Sequence, residues 1–490
     1  MLSLSVTRYF LPASGLASLL LLAGCANPAP PLEVRSFAWN QDARWEAYEQ
    51  TFAEARKAGC AEVLPVAHNA LSRVDSLVAS LQDRSAPSSD PSLDELEEAF
   101  FQAAPLVGVC RDELPGYQRL QSRLRTEVKR LSQNWDLTAR KDRERLYRLM
   151  YGTRAALEEA ILQGPLEDAD AVVTGSAKVN PAVPSAQLFG VTIQSGDILL
   201  SRGGAAASAL IARGNDFPGN FSHVAIAHVD PESGEASVVE AHIESGVVPA
   251  HAETYLADKK LRILVVRARS DHPAVVAVPS LPHQAAQNAL AEANGRHIPY
   301  DFAMDWRNHE SMFCSEVVFS AFESQGMNLW MAMSRISAPG LARWLGQIGV
   351  EHFETHEPSD IVYDPQLEVV AEWANPETLW KDHVDNAVID VLLEGADRGD
   401  ELSFSRIKWP LAAVGKGWSW VLNRFGKIGP VPEGMSAASA LRIQRFSSVH
   451  AELVSETMER ADAYREANGY RPPYWDLLEL VRDARRASEP

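Results

Sequence analysis

Cysteine is scarce in this chain: Cys25, Cys60, Cys110 and Cys314 are the four in 490 residues. None belongs to a C-x-x-C pair, so zinc-ribbon and dithiol redox classes fall away. Histidines are more numerous, but His242 and His251, or His297 and His309, lack the close helical spacing of zinc enzymes, and no metal is expected. Phosphate loops are missing as well. Neither Ser195-Gly196-Asp197 nor Gly203-Gly204 runs into the Lys-Ser or Lys-Thr ending that holds phosphate and magnesium, so no nucleotide cofactor is expected. Positive charge is in deficit, 46 Lys and Arg against 65 Asp and Glu, and the net charge of -19 argues against nucleic acid as a partner. Long apolar runs are absent too: the stretch from Leu16 to Leu22 falls well short of the roughly 20 residues a bilayer span needs. What is present is a 46% hydrophobic composition, enough for two or three independently cored domains.

The N-terminal stretch carries Arg8, an apolar run and then Leu22-Ala23-Gly24-Cys25. This reads as a signal peptide over residues 1–24. The tetrapeptide resembles the lipobox of bacterial lipoproteins, which implies that Cys25 is lipidated and becomes the first mature residue. Residues 25–40 would then form a Pro-containing tether, and the membrane would be a partner through the lipid. Ala26, rather than Asp, after the cysteine points to the periplasmic face of the outer membrane. In that oxidising compartment the remaining three cysteines leave one unpaired. Cys60 and Cys110 share a helical region and are the expected bridge, with Cys314 left free.

Residues 41–163 read as a helical bundle. Trp45, Tyr48, Phe52 and Ala55 recur at helical spacing, Ser92 with Glu95 fits a capping box, and Gly164-Pro165 ends the last helix. Residues 164–187 lose periodicity and read as a linker. From 188 to 360 short β-rich runs appear, including DILLSR, SHVAIAHV, ASVVEAH and LRILVVRA, followed by a helix from about 281 to 294 and another beginning near Cys314. That is an α+β domain, with DPESGE as the turn of an antiparallel hairpin. Residues 361–490 return to helix, most clearly from 436 to about 468. Within them WPLAAVGKGWSWVLNRFGK interleaves Trp409, Trp418, Trp420 and Phe425 with Lys416, Arg424 and Lys427. Packing in a core is the ordinary fate of such aromatics; contact with a membrane surface is the alternative.

A thiol attacks as its thiolate, so a catalytic cysteine needs a positive local field and a nearby base. FCSEVVFSAF places Cys314 at the first turn of a helix, where unpaired N–H groups favour an anion. His223 opens a predicted strand and suits a base. If Val229 faces a residue near Ala236, positions 223, 225 and 227 share a sheet face with 238, 240 and 242. Glu240 then projects beside His223, where a carboxylate fixes the tautomer and stabilises the imidazolium. Ala225 and Ala227 would keep that face shallow for the Cys314 helix, with Val224, Ile226, Val239 and Ala241 on the buried side. A register shift of two would present His242 or Glu244 instead.

In chain order, GDILL, FSHVAI, VVEAH and FCSEVV resemble the permuted papain-like amidases of the YiiX/YaeF type, circularly permuted relatives of NlpC-type cell-wall peptidases. Papain-like enzymes present the cysteine before the histidine; here His223 and Glu240 precede Cys314. The resemblance covers roughly residues 190 to 325. It implies a permuted papain-like core with an antiparallel sheet; the N-terminal helical bundle and the C-terminal helical region that flank it lie outside the resemblance. It implies Cys314 as nucleophile, His223 as base and Glu240 as the acidic third residue, with Tyr300 and Asp301, matching a YD pair, shaping the site beside His242. The expected activity is an envelope-anchored cysteine hydrolase that opens an amide or ester through a thioacyl intermediate. Location makes peptidoglycan peptides the first substrate expectation. Related permuted folds resemble lecithin:retinol acyltransferases, which makes acyl lipids the second. An inactive core whose helical arms bind partners is the reading outside enzymology.

Overall fold

A computed structural model describes residues 43–488 except 166–171, 258, 331, 374, 405, 424 and 426. The signal peptide, Cys25 and its tether lie outside the described residues. At the centre is a seven-stranded sheet. In chain order its strands are β1 (Val172–Thr174), β2 (Ile198–Gly203), β3 (His223–Val229), β4 (Ala236–His242), β5 (Gly246–His251), β6 (Lys260–Ala268) and β7 (Leu367–Trp373). Their order across the sheet is β1-β7-β6-β2-β3-β4-β5, and every neighbouring pair is antiparallel. The β3–β4 hairpin pairs Val229 with Ala236 and Ala225 with Glu240, the first of the registers that the sequence left open.

Two domain boundaries move. The catalytic segment was expected to end at residue 360, but β7 lies beyond it and pairs with β6, so the sheet reaches Trp373. The expected linker supplies β1, paired with β7, and a further strand, Ser185–Leu188, that pairs with Val191–Gln194. These strands are only three and four residues long, too short to show a period of two in sequence.

The face assignment of the hairpin is also corrected. The Cys314 helix (Cys314–Glu323) packs through Val317, Val318 and Phe322 on the face of Val224, Ile226, Val239 and Ala241. Ala225, Ala227 and Val238 sit in a second, smaller core with Ile193, Tyr255 and Val265. Both faces of the hairpin are therefore covered, and the alanines accommodate the segment around Tyr255 rather than the helix.

Helices surround the sheet. The N-terminal bundle runs from Ala43–Ala58 to Thr153–Leu162, and Cys60 and Cys110 are joined there as a disulfide. Its third helix, Pro91–Val109, is capped by Asp90, which accepts from the Ser92 backbone N–H at 2.9 Å. The capping box expected of Ser92 is thus displaced: Pro91 needs no amide partner at the first helical position and holds Asp90 extended, which makes Asp90 the cap. Glu95 pairs instead with Arg73 at 3.0 Å.

The bundle, the sheet and the C-terminal helices do not each close on a main core of their own. One contiguous apolar cluster extends from Tyr48 in the bundle through Val224 in the sheet to Ala484 near the C-terminus. Buried ion pairs cross the same boundaries. Glu372 on β7 binds Arg125 at 2.7 Å and also Arg154, while Arg262 on β6 binds Glu158 at 2.6 Å and Asp382. Arg213 binds Asp390, which also accepts from the Tyr474 hydroxyl at 2.8 Å. Burial alone would raise the Glu372 carboxyl, but Arg154 and Arg125 bring it down to about 2.

Replacing Glu372 by glutamine should strip two buried guanidinium groups of their counter-charge and cost about 3 kcal/mol at neutral pH, read as a lower denaturant midpoint. The carboxylate's contribution is present above the unfolded carboxyl value of about 4.3 and is lost as pH falls toward about 2, so wild type and E372Q should converge in acid.

The Trp-rich segment departs from the packing expectation. In the helix Trp409–Asn423 only Ser419 is buried, and Trp409, Leu411, Val414, Trp418 and Trp420 are exposed.

Candidate active site

Cys314 is the first residue of its helix and is the free cysteine among the described residues. His223 is the first residue of β3. Because both stand at the ends of their elements, they meet although the helix body covers the opposite face of the hairpin. The sulfur and the His223 ring lie close enough for each to stabilise the charged form of the other, and the backbone N–H of Val224 also favours the thiolate. Nε2 of His223 lies 2.6 Å from Oε2 of Glu240, which leaves Nδ1 for the sulfur. The other carboxylate oxygen is 3.0 Å from Nε2 of His242, so Glu240 is held between two imidazoles. Glu244, the remaining register alternative, is exposed in the turn between β4 and β5.

Electrostatics favour an ion pair. Burial is the largest influence on His223 and lowers it, but the hydrogen bonds to Cys314 and Glu240, with their charges, push the imidazole up to about 9. Burial likewise raises the Cys314 thiol, and the hydrogen bond and charge of His223 outweigh it to bring the thiol below its usual range. Glu240, opposed by burial, is pulled down to about 2 by the two histidines. These shifts all act in favour of a thiolate–imidazolium pair with the Glu240 carboxylate behind the ring.

Two acidic side chains near the sulfur behave in the opposite way. Glu316 accepts from the Phe313 N–H at 2.8 Å, yet burial, aided by the charges of Asp301, Cys314 and Asp305, pushes it up to about 9. Burial, together with Asp360 and Cys314, holds Glu357 well above the ordinary carboxyl range. Both are shifted toward the neutral form, which lessens the like charge that would oppose a thiolate.

Asp301 does not meet the triad. Its carboxylate accepts from the N–H groups of Ala303 at 2.8 Å and Asp305 at 2.6 Å, shaping the loop that leads into the Cys314 helix. Tyr300 packs on Phe302, with ring centroids 5.0 Å apart, and helps line a cavity at the sulfur.

That cavity has a volume of about 130 Å³. Cys314 stands in its wall with Ser222, Tyr300, Asp301, His356 and Glu357, and the rest is mainly apolar, including Ile211, Phe302, Ile348 and Phe446. None of its lining residues is Lys or Arg. Leu402, Ile443 and Phe446 come from the C-terminal helical region, so that region closes one side of the chamber.

Residues 192–371 match the family model described as permuted papain-like amidase enzyme, YaeF/YiiX, C92 family. Over this segment the chain is similar to permuted papain-like hydrolases. A solved structure described as metalloprotein yiiX from Escherichia coli O157:H7 matches with 20% identity and a TM-score of 0.29, over 36% of this chain and 95% of that one. No curated protein matches the chain. In the hydrolase domain and elsewhere among the described residues, no group of three or more His, Cys, Asp or Glu side chains is placed to hold a metal ion.

Within the hydrolase domain the GDILL motif is structural. Asp197 is buried and takes two hydrogen bonds of 2.7 Å from Arg267, and the preceding Gly196 has φ +90° with the Pro282 carbonyl where a Cβ would stand. Sequence reasoning passed over Glu316, His356 and Glu357. Glu316 left a signal, a Glu three residues after the helix cap. The other two lie more than forty residues from Cys314 in a stretch without period, and only folding brings them to the chamber.

Proposed function

We propose that this protein is a thiol acyl hydrolase acting on the ester or amide of a fatty acyl lipid, with Cys314 as nucleophile, His223 as base and Glu240 as its orienting carboxylate. The observation that carries the substrate class is the apolar chamber against the sulfur, which has no cation on its wall. Such a space suits an acyl chain, which gains about 0.8 kcal/mol per buried methylene. Peptidoglycan peptides carry carboxylates, and the chamber offers those no Lys or Arg partner. We further place the enzyme at the periplasmic face of the outer membrane, tethered through a lipid on Cys25.

In the proposed reaction the Cys314 thiolate attacks the acyl carbonyl carbon. The His223 imidazolium gives its proton to the departing oxygen or nitrogen as the bond to it breaks. A thioester to Cys314 remains. Neutral His223 then takes a proton from water, whose oxygen attacks the thioester; the fatty acid leaves and the thiolate–imidazolium pair is restored. Backbone N–H groups of Cys314 and Ser315, at the helix start, are the donors for the oxyanion.

The purified enzyme should release fatty acid from acyl-lipid esters or amides and leave isolated muropeptides intact, with Cys314→Ala as the blank. Turnover confined to muropeptides would sink the acyl assignment. Filling the chamber gives a finer test: Ile348→Trp should lower kcat/KM on long-chain esters about tenfold relative to acetyl esters, since only the long chain needs the space. Equal losses on both would mean that the chain binds elsewhere.

A further inference from the structure

We infer that the Trp-rich helix is a docking surface for an anionic lipid bilayer, on which this protein rests through side chains rather than by a span. The inference stands on the surface itself and does not require the acyl chemistry proposed above.

The helix is built outward. Its small and mid-sized residues face the body: Ser419 is buried and donates to Gly415 O at 3.0 Å, and it accepts from Val431 N–H at 2.9 Å. Gly429 approaches so closely that a Cβ there would stand 2.4 Å from Ser419. Lys416 donates to Pro432 O at 3.0 Å, fastening the same loop to the helix. With the narrow face clamped in this way, Ile407, Leu411, Val414, Trp418, Phe425 and Ile428 are left 57–92% exposed. Within the helix, spacings of three and four put Leu411, Val414 and Trp418 on one face, and Ile407 before the helix and Phe425 and Ile428 after it add to the exposed apolar surface. An exposed apolar surface of this kind marks an interaction site rather than ordinary surface.

Charge selects the occupant. From residue 402 to residue 432 the chain carries Arg406, Lys408, Lys416, Arg424 and Lys427 and not one Asp or Glu, although the whole protein has a net charge of -19. Basic residues interleaved with Trp, Leu and Phe match an interface of anionic headgroups above acyl chains. No helix among the described residues is long and apolar enough to cross a membrane, so the contact is one of surface insertion.

The patch is also joined to the site. The loop that clamps the helix continues to Gly434, whose Cβ position lies 3.0 Å from the Phe302 ring in the chamber wall, and Glu433 binds His297 at 2.6 Å. Leu402 and Ile443, which flank the basic segment on either side, line the chamber. Docking through this surface would bring a bilayer beside the cavity.

Co-sedimentation with vesicles tests this, using the full-length Cys25→Ser chain so that no attached lipid contributes. Vesicles of phosphatidylcholine with phosphatidylglycerol should bind it at least about tenfold more tightly than phosphatidylcholine alone, and salt should weaken binding. The double substitution Leu411→Asp with Trp418→Asp should abolish partition while the thermal midpoint and the labelling rate of Cys314 stay at the wild-type level. Lys408→Glu with Lys427→Glu should remove the preference for anionic vesicles. Equal partition of wild type and the Asp variant would overturn the inference. So would a lack of vesicle binding coupled to dimer formation that the Asp variant abolishes, which would make a second copy the occupant. Release of fatty acid from a soluble short-chain ester is read separately, so that failure of docking and failure of the acyl assignment are told apart.

Discussion

Substituting alanine for Cys314 is expected to reduce hydrolysis to background, a loss on the order of 10⁴-fold or more, because every bond-making step runs through that sulfur. The ion pair adds a signature that a buried structural thiol would not show. Iodoacetamide should alkylate Cys314 at pH values below the ordinary thiol range, since the hydrogen bond and charge of His223 hold the thiol low. The rate profile should be bell-shaped. Its acid limb marks protonation of the sulfur; its alkaline limb falls near 9, where the imidazolium, raised by Cys314 and Glu240, gives up its proton. His223→Ala should slow alkylation at neutral pH by about 10²-fold or more and erase the alkaline limb. Because the two groups titrate as a pair, the limbs belong to the pair and not to either residue alone. Labelling at the rate of an ordinary thiol, unaltered by His223→Ala, would leave only a catalytically silent scaffold.

Glu240→Gln should be the second most damaging change, with kcat lower by about 10²–10⁴-fold and little change in substrate binding. The carboxylate accepts from His223 at 2.6 Å and from His242 at 3.0 Å. An amide in its place can turn one NH₂ toward His223 and force the wrong tautomer, and it removes the negative charge that favours imidazolium. The His223 pKa should then drop from about 9, and the alkaline limb of the rate profile should move toward neutral pH. His242→Ala provides the comparison. It touches only the far oxygen of Glu240, so its effect should stay below about tenfold and the limb should shift little. A Gln variant with wild-type kcat and an unmoved limb would remove Glu240 from the mechanism and reduce it to packing.

The C-terminal helices acquire a role from this arrangement. They share the core of the hydrolase domain and complete one wall of the chamber through Leu402, Ile443 and Phe446. An extension packed in this way restricts what reaches the sulfur. Its removal would open the chamber to solvent and expose apolar surface along the helix Pro339–Ile348 and on Phe302.

Much of the site was legible along the chain because its parts obey short-range rules. Alternation of side chains with period two places Glu240 beside His223 once the DPESGE turn sets the register, and a helix beginning at FCSEVV puts a thiol where amide groups point outward. The face of approach was not legible, because Ala225 and Ala227 read equally well as room for a helix or as room for Tyr255. The boundary at residue 360 failed for a related reason. A strand such as Leu367–Trp373, flanked by helices, announces its partner only when β6 lies beside it.

By itself the sequence determined the antiparallel hairpin and a helix start at Cys314, since alternation and local chemistry decide those, and it singled out His223 and Glu240 as candidates and Cys60 with Cys110 as the expected bridge. Tertiary structure alone decided that one core unites bundle, sheet and C-terminal helices, that burial pushes Glu316 and Glu357 toward their neutral forms beside the sulfur, and that an apolar chamber opens there while the Trp-rich surface faces outward. Burial and charge–charge distance are properties of packing between remote segments, and no local pattern encodes them.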